Sequence, residues 1–314
     1  MASDLDATVT GQQAELSRQS AAREPPGRDR SLGTDQVAWL IALVTFLAYT
    51  VISVFRYLRL DPGSWDLGIF TEYVKQADHL HAPAVAIRGT GFNLLGDHFQ
   101  PIVALIAPFF RLFPTPVTLL VAQALLTAIS VIPVCRAARE LLGTWPSRGI
   151  GLAYGLSWGL QQMIDFDFHE IAFAVPLLAF SLSALVRRRL RPAVLWALPL
   201  VFVKEDQGFT IAAIGLLMAG MGLIRLREMR TAVSPGERAL DDPSAWILAG
   251  VFLAVWGLAW SALAIEVIIP HFNPTHHYPY WNNGGVIAPG APCRSAPSGT
   301  SSPWRAPRSC GLST

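Results

Sequence analysis

The sequence predicts an all-α membrane protein: a polytopic bundle of about seven transmembrane helices, with one re-entrant or interfacial segment and an amphipathic helix on the outer face. Three observations predict it. The chain of 314 residues is 52% hydrophobic and only 15% charged, with a mean hydropathy of +0.39, too apolar for a soluble domain. Its apolar runs approach the length a bilayer demands and are separated by short polar connections. When the runs are threaded as spans, fifteen of the 24 Lys and Arg fall on one side and nine on the other, the asymmetry of a positive-inside topology.

Residues 1–35 are polar, with Arg18, Arg23, Arg28 and Arg30 among acids, Gln, Ser and Pro. Such a segment cannot bury enough apolar surface to fold and reads as a disordered cytoplasmic leader. The transmembrane domain is expected over 36–283. Its first span is 36–58, with Asp35 as a plausible N-cap and Trp39 and Tyr57 near its ends. In the acidic loop that follows, Ile69, Phe70, Tyr73, Val74, Ala77 and Leu80 recur at helical spacing, which predicts an amphipathic helix lying on the membrane surface. Residues 101–113 are apolar but too short to cross easily, so they read as the re-entrant piece between Pro101 and Pro114.

Further spans follow at 116–135, 149–164, 171–186, 192–203, 208–224 and 245–269. Excluding 101–113 keeps Arg136, Arg139 and the run from Arg187 to Arg191 on the side of the leader, which is then cytoplasmic. From about Gly284 periodicity is lost, and 284–314 reads as a disordered tail or a truncated or frame-shifted continuation of a longer protein. The cysteines, Cys135, Cys293 and Cys310, make no metal-spaced pair. Nucleic-acid motifs are absent, and the arginine clusters read as topology signals.

The same threading places the acids and histidines on the outer face. Asp66 precedes the amphipathic helix, and two compatible roles suit it: N-cap, or general base taking a proton from an acceptor hydroxyl. Asp167 and Glu170 fit a capping box ahead of an apolar run, which leaves Asp165 and His169 unexplained. Asp167 and His169 are near enough in sequence to share a divalent metal ion, although a D-x-H pair is weak evidence for one. Lys204, Glu205 and Asp206 interrupt two apolar runs, where each charge would cost a few kcal/mol in hydrocarbon. They form either a self-paired hairpin tip with Asp206 as cap, or a site in which Lys204 neutralises a phosphate. Asp97 and His98 mark the return of the chain toward the membrane, and His98 is either structural or a ligand. Residues 276–281 read as an interfacial aromatic belt or a carbohydrate-stacking surface. Glu266, inside the last span, is a functional candidate or a snorkelling side chain.

Taken together, Trp65-Asp66-Leu67-Gly68-Ile69-Phe70, Asp97-His98-Phe99-Gln100-Pro101, Asp167-Phe168-His169-Glu170 and Lys204-Glu205-Asp206 resemble domain-of-unknown-function family 2079. These are bacterial multi-pass proteins grouped with the GT-C membrane glycosyltransferases. The resemblance covers roughly 36–283. It implies a sugar transferase at the outer face of the plasma membrane, with a polyprenyl-phosphate sugar donor and membrane lipid as partners. It further implies that Asp66 is the acidic catalytic residue of the first outer loop. Substrate contacts are then expected from Asp97, His98, His169, Glu170, Lys204, Glu205 and Asp206, with Asp167 and His169 for a metal. The chain stops earlier than that pattern, which usually continues with several more spans. Two other readings stand beside it: a transporter with Glu266, Glu205 and Asp167 on an ion path, or a non-catalytic remnant.

Overall fold

The computed structural model describes residues 32–61, 65–231 and 242–281; the proposed leader, apart from its last four residues, and the proposed tail lie outside them. Residues to Tyr278 form one compact unit, and a second begins at Pro279. The described residues are helical throughout, with an isolated bridge between Ala84 and Asn93. Among the described residues, four helices are long and apolar enough to cross a membrane: Gln36–Leu58, Val117–Leu142, Gln207–Met229 and Pro243–Phe272.

The expected count of seven is not reproduced, and the reasons are local. Residues 149–164 form two helices, α5 (Thr144–Gly155) and α6 (Trp158–Asp165), after α1 (Leu32–Leu58), α2 (Asp66–Asp78), α3 (Ala107–Leu112) and α4 (Val117–Leu142). Between α5 and α6 Ser157 is extended. The carbonyls this break frees are taken by side chains: Tyr49 donates to Gly155 and Gln161 donates to Leu156, as buried helix ends require. Residues 171–186 become a 3₁₀ turn, Glu170–Phe173, running into α7 (Ala174–Val186). Residues 192–203 become α8 (Leu190–Ala197) and a 3₁₀ turn, Leu198–Phe202. Pro199 sits at the start of that turn, where its missing N–H ends α-helical bonding.

Three other expectations are corrected. Helix α1 starts at Leu32, so Asp35 lies in its first turn rather than before it. The apolar face of α2, with Leu67, Phe70, Tyr73 and Val74, is not laid on lipid. Those residues are buried in the core together with Val103, Ile106, Ala107 and Phe110 from the short segment Pro101–Leu112. Leu80 is fully exposed, beyond the end of the helix.

Helices α9 (Gln207–Thr231) and α10 (Pro243–Leu263) touch backbone to backbone. A Cβ on Gly215 would lie 2.4 Å from the Gly250 carbonyl oxygen, and one on Gly250 would lie 2.4 Å from that of Gly215. Small residues permit this approach where no hydrophobic effect drives helices together. A π-turn, Ala264–Ile268, continues α10 into α11 (Ile269–Phe272).

Charge divides the bundle into two ends. Arg187, after α7, pairs with Glu140 near the end of α4, and Arg136, Arg139 and Arg148 lie at that same end with the start of α1. The acids and histidines gather at the other.

Candidate functional site

Three connections build the acid-bearing end, and Gln123 of α4 anchors the central one. Its Nε2 donates to the carbonyls of Met163 (3.1 Å) and Asp167, while its Oε1 accepts from the His169 N–H at 2.9 Å. So braced, Asp167 takes a left-handed conformation, φ +70°. Phe168 turns into the core, edge-on to Phe70 with ring centres 5.3 Å apart. His169 is extended, which directs its ring away from Phe168 and toward α2.

There His169 Nε2 lies 3.8 Å from Asp66 Oδ2. Its Nδ1 is paired with Glu170, whose other oxygen, Oε1, lies 3.0 Å from Lys204 Nζ. Asp66, His169, Glu170 and Lys204 therefore form one chain of alternating charge-bearing groups contributed by three separate connections. Glu170 is 1% exposed. Burial alone would push its carboxyl up, but the hydrogen bond and charge of His169, with Lys204 behind them, hold it below the usual range. Burial would likewise depress the Lys204 ammonium, yet the charge and hydrogen bond of Glu170 raise it. Asp66 moves the other way. Burial lifts its pKa, with Glu170 adding to the rise and His169, Lys204 and Arg88 opposing it.

A second cluster surrounds Glu205, 3% exposed. Its Oε1 receives His98 Nδ1 at 2.7 Å and the Tyr278 hydroxyl at 3.1 Å, and its Oε2 accepts the Phe99 N–H at 3.0 Å. Ser261 of α10 donates to its backbone carbonyl. Here too burial raises and His98 lowers, and the carboxyl ends below its usual range.

Of the residues expected at a site, four thus converge and the rest divide. His98 and Glu205 make the second cluster, Asp97 pairs with Arg88, and Asp206, exposed ahead of α9, accepts from the Gln207 side chain at 3.3 Å. Neither capping expectation holds. Helix α2 begins at Asp66 itself with Trp65 before it, so the carboxylate is not an N-cap. The Asp167–Glu170 box does not form either, because Glu170 opens the 3₁₀ turn and is engaged by His169 and Lys204. Nor is Lys204 self-paired within its own turn. Among the described residues no three His, Cys, Asp or Glu side chains are grouped to hold a metal ion.

Sequence reasoning passed over Gln123, Arg88 and Arg56, whose Nη1 reaches Asp165 Oδ1 at 2.5 Å. The signal for Gln123 was available, as an amide in the middle of an apolar run.

Two hollows adjoin this end. A cleft of about 750 Å³ is lined by Trp65, Leu67, Gly68, Thr71, Glu72 and Asp167, among others. An apolar groove of about 660 Å³ runs between the Pro101–Leu112 segment and α4, and includes Phe109, Phe113, Leu125 and Phe173. Pro116 borders the first, and Thr115 and Val117 the second, so the two meet across one turn.

The arrangement offers a carboxylate of raised basicity, a lysine and an imidazole beside a cleft with both polar and apolar walls. The family described as "Predicted membrane protein (DUF2079)" matches residues 56–283, a stretch that holds both clusters. No curated protein and no solved structure matches the chain.

Proposed function

The chain belongs to this family of predicted membrane proteins, and on that premise we propose that it is an integral-membrane glycosyltransferase-like enzyme. It would transfer sugar from a lipid-phosphate donor, such as a polyprenyl-phosphate sugar, at the outer face of the plasma membrane, with its N-terminus cytoplasmic. The observation that carries this reading is the convergence of Asp66, His169, Glu170 and Lys204.

Asp66 would act as general base. As the acceptor oxygen bonds to the anomeric carbon, its proton passes to the Asp66 carboxylate. The bond from that carbon to the phosphate oxygen breaks, and the lipid phosphate leaves. A raised pKa suits Asp66 to this task, because it brings a carboxylate's basicity nearer to operating pH. Lys204 would neutralise the departing phosphate as a point charge, and His169 would donate a hydrogen bond to it. Glu170 would hold both in place. The cleft, mostly apolar but bearing Asp61, Glu72 and Asp167, and the apolar groove beside it suit an amphiphilic donor. Transport finds less support. Glu266 is exposed, and Glu205 is held by His98, Tyr278 and the Phe99 N–H.

Membranes carrying the chain, supplied with a panel of radiolabelled lipid-phosphate sugars, test the proposal. Asp66→Asn should reduce transfer by at least about 100-fold, the lower range for a positioned general base, while the protein still inserts. Transfer at the native rate by that variant would remove Asp66 from the chemistry. Absence of transfer by the native chain with every donor would reject the enzyme reading.

A further inference from the structure

The cleft beside the charged row has the volume of a small-molecule site, about 750 Å³. Trp65 and Leu67, the chain neighbours of Asp66, line it together with Gly68, Thr71 and Glu72 of the same helix. Asp167, two residues before His169, lines it as well. Lys204 and His169, proposed above to meet the donor phosphate, are not among its walls. An occupant of the cleft therefore lies next to the reacting groups but apart from the phosphate.

The walls are mostly apolar, and their polar side chains offer acceptors. Trp65 is 79% exposed, a large ring left open at the rim. Thr71 Oγ1 donates its proton to the Leu67 carbonyl at 2.6 Å and keeps lone pairs for a ligand. Glu72 Oε2 accepts the Ala86 N–H at 2.7 Å, and no cation among the described residues pairs with this carboxylate. Asp61, which lies 3.8 Å from Arg56 Nε, adds a further carboxylate to the lining. No Lys or Arg among the described residues lines the cleft. The three residues between Asp61 and Trp65 are Pro, Gly and Ser, so the connection itself brings no cation.

An open aromatic face with carboxylates beside it matches one ligand chemistry, the sugar ring. Its C–H face packs on the indole, and its hydroxyls donate charge-assisted hydrogen bonds to the carboxylates. A sugar that carries its own carboxylate would meet like charge, which discriminates against a ligand. We propose that this cleft is a subsite for an uncharged sugar and excludes acidic ones. The sugar's role, as the residue transferred or as the acceptor, rests on the transferase reading; its binding is measured without turnover.

The full chain, purified in a neutral detergent that has no sugar headgroup, is mixed with methyl glucoside, galactoside and mannoside. Each is compared with the uronic acid that differs from it by one carboxylate, and saturation-transfer NMR reads binding. At least one uncharged glycoside should bind, and its uronic acid should bind at least about tenfold more weakly, equivalent to about 1.4 kcal/mol. Glu72→Gln should narrow that difference, whereas a merely structural role would weaken both ligands alike. Trp65→Ala should abolish binding and Trp65→Phe should keep part of it. Should Trp65→Ala fail to fold, Glu72→Gln carries the comparison. In transfer assays of Trp65→Phe, a raised KM for the lipid-phosphate sugar assigns the transferred residue, and a raised KM for the acceptor assigns the acceptor. Glycoside binding without any transfer would keep the subsite and reject the enzyme. Transfer by a native chain that binds no glycoside would overturn the subsite and keep the enzyme. Equal binding within each pair, or native binding by Trp65→Ala, would also overturn it.

Discussion

Two glutamates are buried at the same end of this bundle, each with a histidine Nδ1 on its carboxylate, yet their surroundings differ in kind. Around Glu205 the remaining hydrogen-bond partners are neutral donors, the Phe99 N–H and the Tyr278 hydroxyl, with the Lys204 charge acting on it less than on Glu170. They bind the 97–99 loop, the turn before α9 and the segment after α11 into one strut. Around Glu170 the remaining partner is the charge of Lys204, and the histidine reaches on toward Asp66, whose flanking residues Trp65 and Leu67 line a cleft. A buried carboxylate saturated by neutral donors holds a fold together. One placed within a row of charges can hold reactive groups in position. On the proposed reading, the same residue type, prepared by the same kind of neighbour, serves structure in one case and chemistry in the other.

Breaking the charged row should have the largest effect. Lys204→Met leaves Glu170 buried without its cation and should cost about 3–5 kcal/mol of stability, the range for one partner removed from a buried pair. A chemical denaturation curve checks it; a loss under about 1 kcal/mol would mean that solvent reaches Glu170. Next comes the brace beneath the site. Gln123→Leu removes the groups that meet Met163 O, Asp167 O and His169 N, and should cost about 3 kcal/mol, the low end for three groups at about 1–3 each, since two of the bonds are only part-buried. It should also reduce transfer by displacing His169. On the strut, Tyr278→Phe should cost about 1.5–3 kcal/mol, the value of a hydrogen bond to a charged group, with transfer per folded molecule unchanged.

Acid titration sets Asp66 apart from both glutamates by sign. Glu170 and Glu205 titrate below their ordinary value of 4.5. Their contribution to stability is complete above that pH and is lost as pH falls through the depressed values. Asp66 is raised above its ordinary 3.8, so its base form is lost at a higher pH than a solvated aspartate would lose it. On acidification transfer should therefore begin to fall at a higher pH than an unperturbed aspartate would allow, and the thermal midpoint should hold to a lower pH than unperturbed glutamates would allow. Transfer that follows an unperturbed aspartate would remove the raised basicity of Asp66 from the account.

Much of this was legible from local chemistry. Lys204, Glu205 and Asp206 are conspicuous because hydrocarbon-length runs flank them, and the separation of arginines from acids follows from counting charges. Which acid Lys204 meets was not legible, because Glu170 lies 34 positions earlier in the chain and only packing brings the two together. The number of spans was overread because hydropathy averages across a window. It registers neither the break at Ser157, stabilised by Tyr49 from another helix, nor the change of helix type at Pro199. Tyr278 read as part of an aromatic belt since its ring is amphipathic; its hydroxyl partner is fixed by tertiary structure alone.

The most direct test of the division between strut and site compares the two histidines. His169→Gln and His98→Gln are assayed side by side for transfer rate per folded molecule and for thermal midpoint. The account predicts at least a tenfold loss of rate, about 1.4 kcal/mol of barrier, for His169→Gln, and a lowered midpoint with native specific rate for His98→Gln. Equal losses of rate in both variants, or a native rate in His169→Gln, would contradict it.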